Sequence, residues 1–315
     1  MINVFCTAPI GRFLNELNVP DKIELRVDEY ATGRALEEGL VWCDAHISNA
    51  RVKLDSGMLS KAKNLRYIFQ PSIGNENLSD CLLESNIVID GLWSQVEFRE
   101  SNTTTAEHTL TLILAAMKEF RSLTDDVVDN GLWDNRRYHI SDLADATVGI
   151  IGFGVVGKGL RQLVSGFKCN VLVYDPYIDD DEMKDFNVSK VSLEILLEQS
   201  DVISLHCPLN KETYKILNSQ NCVNLKMSSV IVNCARGGVV CEEMVSKKIA
   251  NSTLRGYAAD VLEGENPQGV KDHNLVAEAS RNKNIIISPH VGGSSYVYMR
   301  KIFQLAIGKI VQEVG

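Results

Sequence analysis

The sequence has no secretory start. "MINVFCTAPIGRFLNEL" lacks both the charged opening and the long apolar core of a signal peptide. No apolar run approaches the ~18 residues of a membrane span. Basic residues never cluster, and 32 Lys and Arg against 41 Asp and Glu leave a formal net charge of −9, which argues against nucleic acid or an anionic membrane surface as a partner. The eight cysteines include no C-x-x-C pair, so the common zinc and redox spacings are absent and no metal is expected. They lie mostly beside apolar residues, as reduced thiols of a cytoplasmic protein do. There is no internal repeat, low-complexity tract or Gly/Ser linker, so any domains are joined by structured segments.

What remains is an ordinary globular chain of 315 residues, 45% hydrophobic and 23% charged, long enough for two domains. Residues 1 to about 100 alternate short apolar runs ("INVFC", "KIELRV", "NIVIDG") with helix-like segments, which argues for an α/β unit with a largely parallel sheet. "TTAEHTLTLILAAMKEFRS", between 104 and 122, keeps an apolar face over about five turns and predicts one core helix joining two domains. From 146 a second series begins: "TVGIIGFG", "NVLVYDP", "VISLHCPL", "VIVNCARG", "RGYAADVL" and "NIIISPH" are spaced by helix-length segments, as in one doubly wound sheet. The tail "SSYVYMRKIFQLAIGKIVQEV" returns to helical periodicity.

In "TVGIIGFGVVGKGLRQLV" a strand pattern runs into G-x-G-x-x-G and then a helix pattern, the context in which that motif binds a dinucleotide. Gly152 allows the tight turn, Gly154 lets a pyrophosphate approach the backbone, and Gly157 lets helix and strand pack closely. The helix N-terminus offers free N–H groups and a partial positive charge. The next strand ends in Asp175, 18 residues beyond Gly157. A carboxylate there suits the ribose hydroxyls of NAD and repels the 2′-phosphate of NADP.

Ligands of open α/β sheets bind beyond the carboxyl ends of the strands, and three polar residues close later apolar runs. Arg236 follows "VIVNCA", Glu265 lies five residues beyond Asp260 in "AADVLEGENP", and His290 ends "NIIISPH". Together they suit hydride transfer. The Arg grips a carboxylate in two hydrogen bonds, the His gives or takes a hydroxyl proton, and the Glu holds the His in one tautomer.

These pieces, with "VYDPY", "HCPLNKETYKILN", "SPHVGGSS" and the weaker "PSIGNEN" and "TAEHTLTLILAAMK", stand in an order that resembles the D-isomer-specific 2-hydroxyacid dehydrogenases over nearly the full length. The resemblance implies two doubly wound domains, with a Rossmann NAD-binding domain (102–290) inserted into a flavodoxin-like substrate domain (1–101 and 291–315). It implies catalytic Arg236, Glu265 and His290, and backbone N–H groups around Ile73 and Gly74 for the substrate carboxylate. Toward the cofactor it implies Gly152, Gly154, Val155, Val156 and Gly157 at the pyrophosphate and Asp175 at the ribose. His206, Pro208, Cys234 and Gly292 would line the cofactor, with Asp260 at the nicotinamide amide. The expected substrate is a small 2-oxo or 2-hydroxy acid, and the expected assembly a homodimer through the cofactor domain, with "RSLTDDVVDNGLWDNRRY" as its arm. Trp133 and Tyr138 in that stretch suit the core equally well.

The chain departs from the family pattern at three places. Asn75 and Glu76 replace the usual V-D of the substrate loop. Asn266 separates Glu265 from Pro267, which leaves Glu263 as an alternative partner for His290. Where phosphoglycerate enzymes carry an arginine pair, "ISNARVKLD" offers only Arg51, so a phosphorylated substrate is not favoured. The sequence also stops soon after the His290 segment, and no amino-acid feedback through a terminal domain is expected. Two other readings stay open: an NAD(H)-sensing interaction protein like the family's corepressors, and a phosphite dehydrogenase.

Overall fold

The computed structural model describes residues 1–74, 77–78, 86–266 and 269–315. Asn75, Glu76 and Pro267, singled out above, and Cys81, one of the eight cysteines, lie outside the described residues. The chain divides into two compact units, residues 1–102 with 295–315, and residues 103–294. The second boundary falls beyond His290 because Val291 and Gly292 are tied by their N–H groups to Asp260, while Ser295 caps the next helix by accepting from the Tyr298 N–H.

In the first unit, β1 (Ile2–Cys6), β2 (Ile23–Val27), β3 (Ala45–Ile47), β4 (Tyr67–Gln70) and β5 (Val88–Gly91) form a parallel sheet in the order β2-β1-β3-β4-β5. That is the flavodoxin-like order. The helices α1 (Gly33–Trp42), α2 (Ser56–Lys61) and α3 (Val96–Glu100) belong to the same unit.

In the second unit, α4 (Thr104–Met117) and α5 (Phe120–Asn130) precede β6 (Thr147–Ile151). There follow α6 (Val155–Val164), β7 (Asn170–Tyr174), α7 (Asp180–Asp185), β8 (Ser189–Lys190), α8 (Leu193–Gln199), β9 (Val202–Leu205) and β10 (Val230–Asn233). Then come α9 (Glu242–Ala250), β11 (Gly256–Ala259), α10 (Asn274–Arg281) and β12 (Ile285–Ile287). The parallel sheet runs β12-β11-β10-β9-β6-β7-β8, so the order reverses between β6 and β9, where such sheets open a ligand crevice beyond the strands' carboxyl ends. Its strands are nearly continuous apolar runs because helices cover both faces. Leu112, Ile113, Leu160 and Val164 pack on one core, and Leu196, Met244, Val245 and Leu275 on the other. Finally α11 (Tyr296–Val314) returns to the first unit and buries Ile302, Phe303, Ala306, Ile307 and Ile310 against Ile2, Val4 and Tyr67.

The segment at 104–122 corrects the expectation of one helix joining two domains. Its helix stops at Met117, Glu119 takes a left-handed backbone (φ 52°), and α5 starts anew, all within the second unit. Arg255 makes the break, donating to the Met117 carbonyl (2.9 Å) and to the Glu119 carboxylate (3.3 Å). Apolar spacing reports which face is buried, not where a distant guanidinium diverts the chain.

Candidate active site

The glycine turn joins β6 to α6. Gly152 has φ +89°, and a Cβ on it would lie 2.6 Å from the Cys207 nitrogen. A Cβ on Gly157 would meet the Gly152 carbonyl at 2.4 Å. Both glycines therefore serve packing. Gly154 differs: it precedes the first residue of α6, and a Cβ there meets nothing within 4 Å. That opening, among the described residues, stands at the N-terminus of α6, whose free N–H groups suit a pyrophosphate. Asp175, at the end of β7, accepts from the Phe153 N–H (2.8 Å) and the Tyr177 N–H (2.9 Å), which places its carboxylate against the same turn. His206 follows β9 and donates its own N–H to the Ile151 carbonyl at 2.7 Å. Its Nε2 lies 2.8 Å from Ser204 Oγ, while its buried Nδ1 has no partner among the described residues. Burial pushes the ring's pKa down to about 3, so it stays neutral. Pro208 is exposed just beyond it. This turn, the acid beside it and an orphaned neutral imidazole fit a dinucleotide cofactor.

At the ends of β10, β11 and β12 the other residues gather. Asn233 shapes the turn after β10, accepting from the Ala235 N–H (3.0 Å) and donating to the Arg236 carbonyl (2.9 Å). Cys234 is half-buried there, and burial pushes its thiol up to about 12, so it is no thiolate nucleophile. Arg236 shares an open pocket with Tyr214, Leu262 and Glu265. A Cβ on Gly237 would sit 2.0 Å from the Leu262 carbonyl carbon, so the acidic loop lies directly on the arginine turn.

Glu265 meets His290. The His290 Nδ1 lies 2.5 Å from Glu265 Oε1, which assigns the proton to Nδ1 and leaves Nε2 for a reacting oxygen. Both side chains remain more than a third exposed. Glu263 faces elsewhere, toward Tyr214 Oη (3.2 Å) and Lys215 Nζ (3.8 Å). The pairing left open by spacing thus falls on Glu265.

His290 itself stands at φ 56°, a conformation few non-glycine residues adopt, and its loop is fastened from below. Asp260, 3% exposed, accepts from the Val291 N–H (2.9 Å), the Gly292 N–H (2.7 Å) and Ser288 Oγ (2.6 Å). His108 from α4 completes the clamp, with Nε2 2.9 Å from Ser288 Oγ and 3.3 Å from Asp260 Oδ1. Burial alone would raise the Asp260 pKa, but these hydrogen bonds outweigh it and hold the carboxyl below its ordinary value. His108 and Ser288 escaped sequence reasoning, because a lone His on an apolar helix carries no signal of a partner 180 residues away.

Ile73 and Gly74 belong to the first unit, in the segment after β4. Ile73 is half exposed, and the Gly74 carbonyl accepts from Gln70 Nε2 and from Ser72 Oγ (3.0 Å), which fixes that segment's backbone.

Residues 110–292 match a family described as D-isomer specific 2-hydroxyacid dehydrogenase, NAD binding domain. The chain is 30% identical over 272 residues to a D-3-phosphoglycerate dehydrogenase of Archaeoglobus fulgidus, covering 86% of this chain and 48% of that one. It is 27% identical over 314 residues to a glyoxylate reductase of Korarchaeum cryptofilum, covering 98% and 91%. The chain spans about half the length of the phosphoglycerate dehydrogenases it matches. Among solved structures, D-lactate dehydrogenase from Aquifex aeolicus, crystallised with NAD and lactic acid, shares the fold with a TM-score of 0.79 at 23% identity, over 98% of this chain and 95% of that one.

Proposed function

The chain belongs to the D-isomer specific 2-hydroxyacid dehydrogenase family, and from that premise we propose that it is an NAD-dependent oxidoreductase interconverting a small 2-oxo acid and its D-2-hydroxy acid. The observation that carries the reading is the 2.5 Å contact of His290 with Glu265, on a loop packed against the Arg236 turn, in the unit that also holds the glycine turn. Glyoxylate and hydroxypyruvate stand ahead of a phosphorylated acid as substrates, because "ISNARVKLD" carries a single arginine.

The Gly154 turn and Asp175 would hold NADH, which when bound would supply the hydride for the carbonyl carbon. Arg236 anchors the substrate carboxylate through its planar fork and polarises the carbonyl. His290 delivers the proton from Nε2 to the carbonyl oxygen on reduction and removes it on oxidation. Glu265 keeps the ring in the tautomer this needs and stabilises the imidazolium. Asp260 fastens the loop that carries His290.

Self-association runs through the second unit. Phe120, Val128 and Trp133 present apolar surface at and beyond α5, with Trp133 91% exposed, which a partner copy would cover. The free cysteines of the described residues suit a reducing, cytoplasmic setting.

The test is NADH oxidation against glyoxylate, hydroxypyruvate, pyruvate, 2-oxoglutarate and phosphohydroxypyruvate, repeated with NADPH. Turnover of one acid with NADH, and a loss of about 10²–10⁴-fold in kcat for His290→Ala, are expected. Silence across the panel with intact NADH binding would transfer the reading to a nucleotide sensor or to phosphite oxidation.

A further inference from the structure

Glu265 sits on an exposed loop without regular structure, and an exposed carboxylate on such a loop has no reason of its own to hold one direction. Two residues ahead, Glu263 is gripped at every polar group. Its N–H donates to Glu242 Oε1 (2.9 Å), its carbonyl accepts from His273 Nε2 (3.1 Å), and its carboxylate faces Tyr214 and Lys215. The ring of His273 has only one arrangement when neutral. Its Nδ1 lies 3.3 Å from the Leu275 N–H, a group that can only donate, so Nδ1 accepts and Nε2 carries the proton. That Nε2 lies between the Glu263 carbonyl and Glu242 Oε2, the latter at 3.2 Å, with the two side chains only 16% and 12% exposed. From the clamped Glu263 the chain turns through Gly264 (φ +72°) to Glu265, whose N–H reaches the Leu262 carbonyl and whose Oε2 accepts from the Leu262 N–H, both at 3.4 Å.

We propose that Glu242, at the start of α9, and His273, at the start of α10, form a latch on the peptide groups of Glu263 that aims Glu265 at His290. They are positioning residues, and the inference rests on the reading of Glu265 and His290 as the acid/base pair. The latch holds both the N–H and the C=O of one residue, so the peptide planes on either side of Glu263 are fixed, and with them the direction in which Glu265 leaves the loop. A misplacement of about 1 Å at such a pair costs on the order of 10²-fold in rate. A burial role alone would need neither the Nε2 proton nor its carbonyl target.

Four variants of the full chain test this: His273→Asn, Glu242→Leu, Glu242→Gln and, as reference, Glu265→Gln. Asparagine at 273 still caps α10 but cannot reach the Glu263 carbonyl, and glutamine at 242 keeps an oxygen for the Glu263 N–H. The first readout is amide hydrogen exchange over residues 261–266, which needs no substrate. The second is kcat and KM for NADH with hydroxypyruvate. In His273→Asn and Glu242→Leu, exchange should quicken by about 10-fold or more and kcat should fall by about 10- to 100-fold, while KM for NADH stays within about twofold. Glu242→Gln, which keeps an oxygen for the Glu263 N–H but turns its amide N–H groups toward the His273 Nε2–H, should recover part of both relative to Glu242→Leu. Wild-type exchange in His273→Asn and Glu242→Leu overturns the latch whatever the substrate. Quickened exchange and a lower melting temperature with wild-type kcat reduce both residues to a structural role. If Glu265→Gln also keeps wild-type turnover, the acid/base reading falls and takes the latch with it. If only Glu265→Gln loses turnover, the latch alone is wrong.

Discussion

Two neutral histidines outside the proposed acid/base pair, His46 fully buried and His206 partly so, set a pH limit on stability. His46, 0% exposed in β3, has its Nδ1 2.9 Å from the Phe5 carbonyl and stacks on the Phe5 ring. Burial lowers its pKa from the ordinary 6.5 to about 4, with the Phe5 hydrogen bond opposing, and burial lowers that of His206 to about 3. Below pH 6.5 the unfolded chain takes up protons at these positions that the folded chain refuses, so the stability they contribute is present above 6.5 and drains away as pH falls toward 4 and 3. For His46 the loss amounts to roughly 3 kcal/mol across that window. Urea unfolding followed from pH 7 to pH 4 should therefore show a falling midpoint, and His46→Gln should flatten the fall. An unflattened profile in that variant would assign the acid sensitivity to other groups.

At the level of elements, the turn between β6 and α6 separates two uses of glycine that look alike in sequence. Gly152 and Gly157 face backbone at 2.6 and 2.4 Å, whereas Gly154 faces open space. Gly154→Ala should leave the melting temperature near wild type while weakening NADH binding by about 10-fold or more, since the methyl group occupies the cofactor's approach. Fluorescence titration with NADH checks this, and unchanged affinity would move the pyrophosphate elsewhere. Gly237 makes the opposite case. Its Cβ would overlap the Leu262 and Glu263 backbone at 2.0 and 2.1 Å, so Gly237→Ala must displace the acidic loop. Both melting temperature and turnover should fall, and calorimetry beside a kinetic assay would reveal whether one moves without the other. Rigidity of this kind is how an exposed loop comes to carry a catalytic carboxylate.

At the scale of the whole molecule, the chain leaves the first unit at Asn102 and returns at Ser295, so the first unit's core is completed by its most distant segment, α11. The proposed association through the second unit makes its own prediction: Val128→Asp with Trp133→Asp should shift sedimentation toward the monomer, and an unchanged sedimentation coefficient would speak against it. Much of this architecture is legible without coordinates. The β-branched runs, their helix-length spacing and the glycine turn are set by local backbone sterics and side-chain period, which each short segment carries within itself. Asp175 reads as the acid immediately after β7, and Arg236 and His290 as polar residues shortly beyond β10 and β12, for the same reason. What spacing leaves open is every choice between residues of equal local character. Glu263 and Glu265 share one loop, and the Glu263 contacts with Tyr214, Lys215, Glu242 and His273 go with the second facing His290 and the first facing away. The break at Glu119 waits on Arg255, and the seat of the His290 loop waits on Asp260 and His108. Those contacts join residues far apart in the chain, and they form only after loop closure and core packing have brought the segments together, so the sequence by itself determines the elements and the tertiary structure decides which side chains meet.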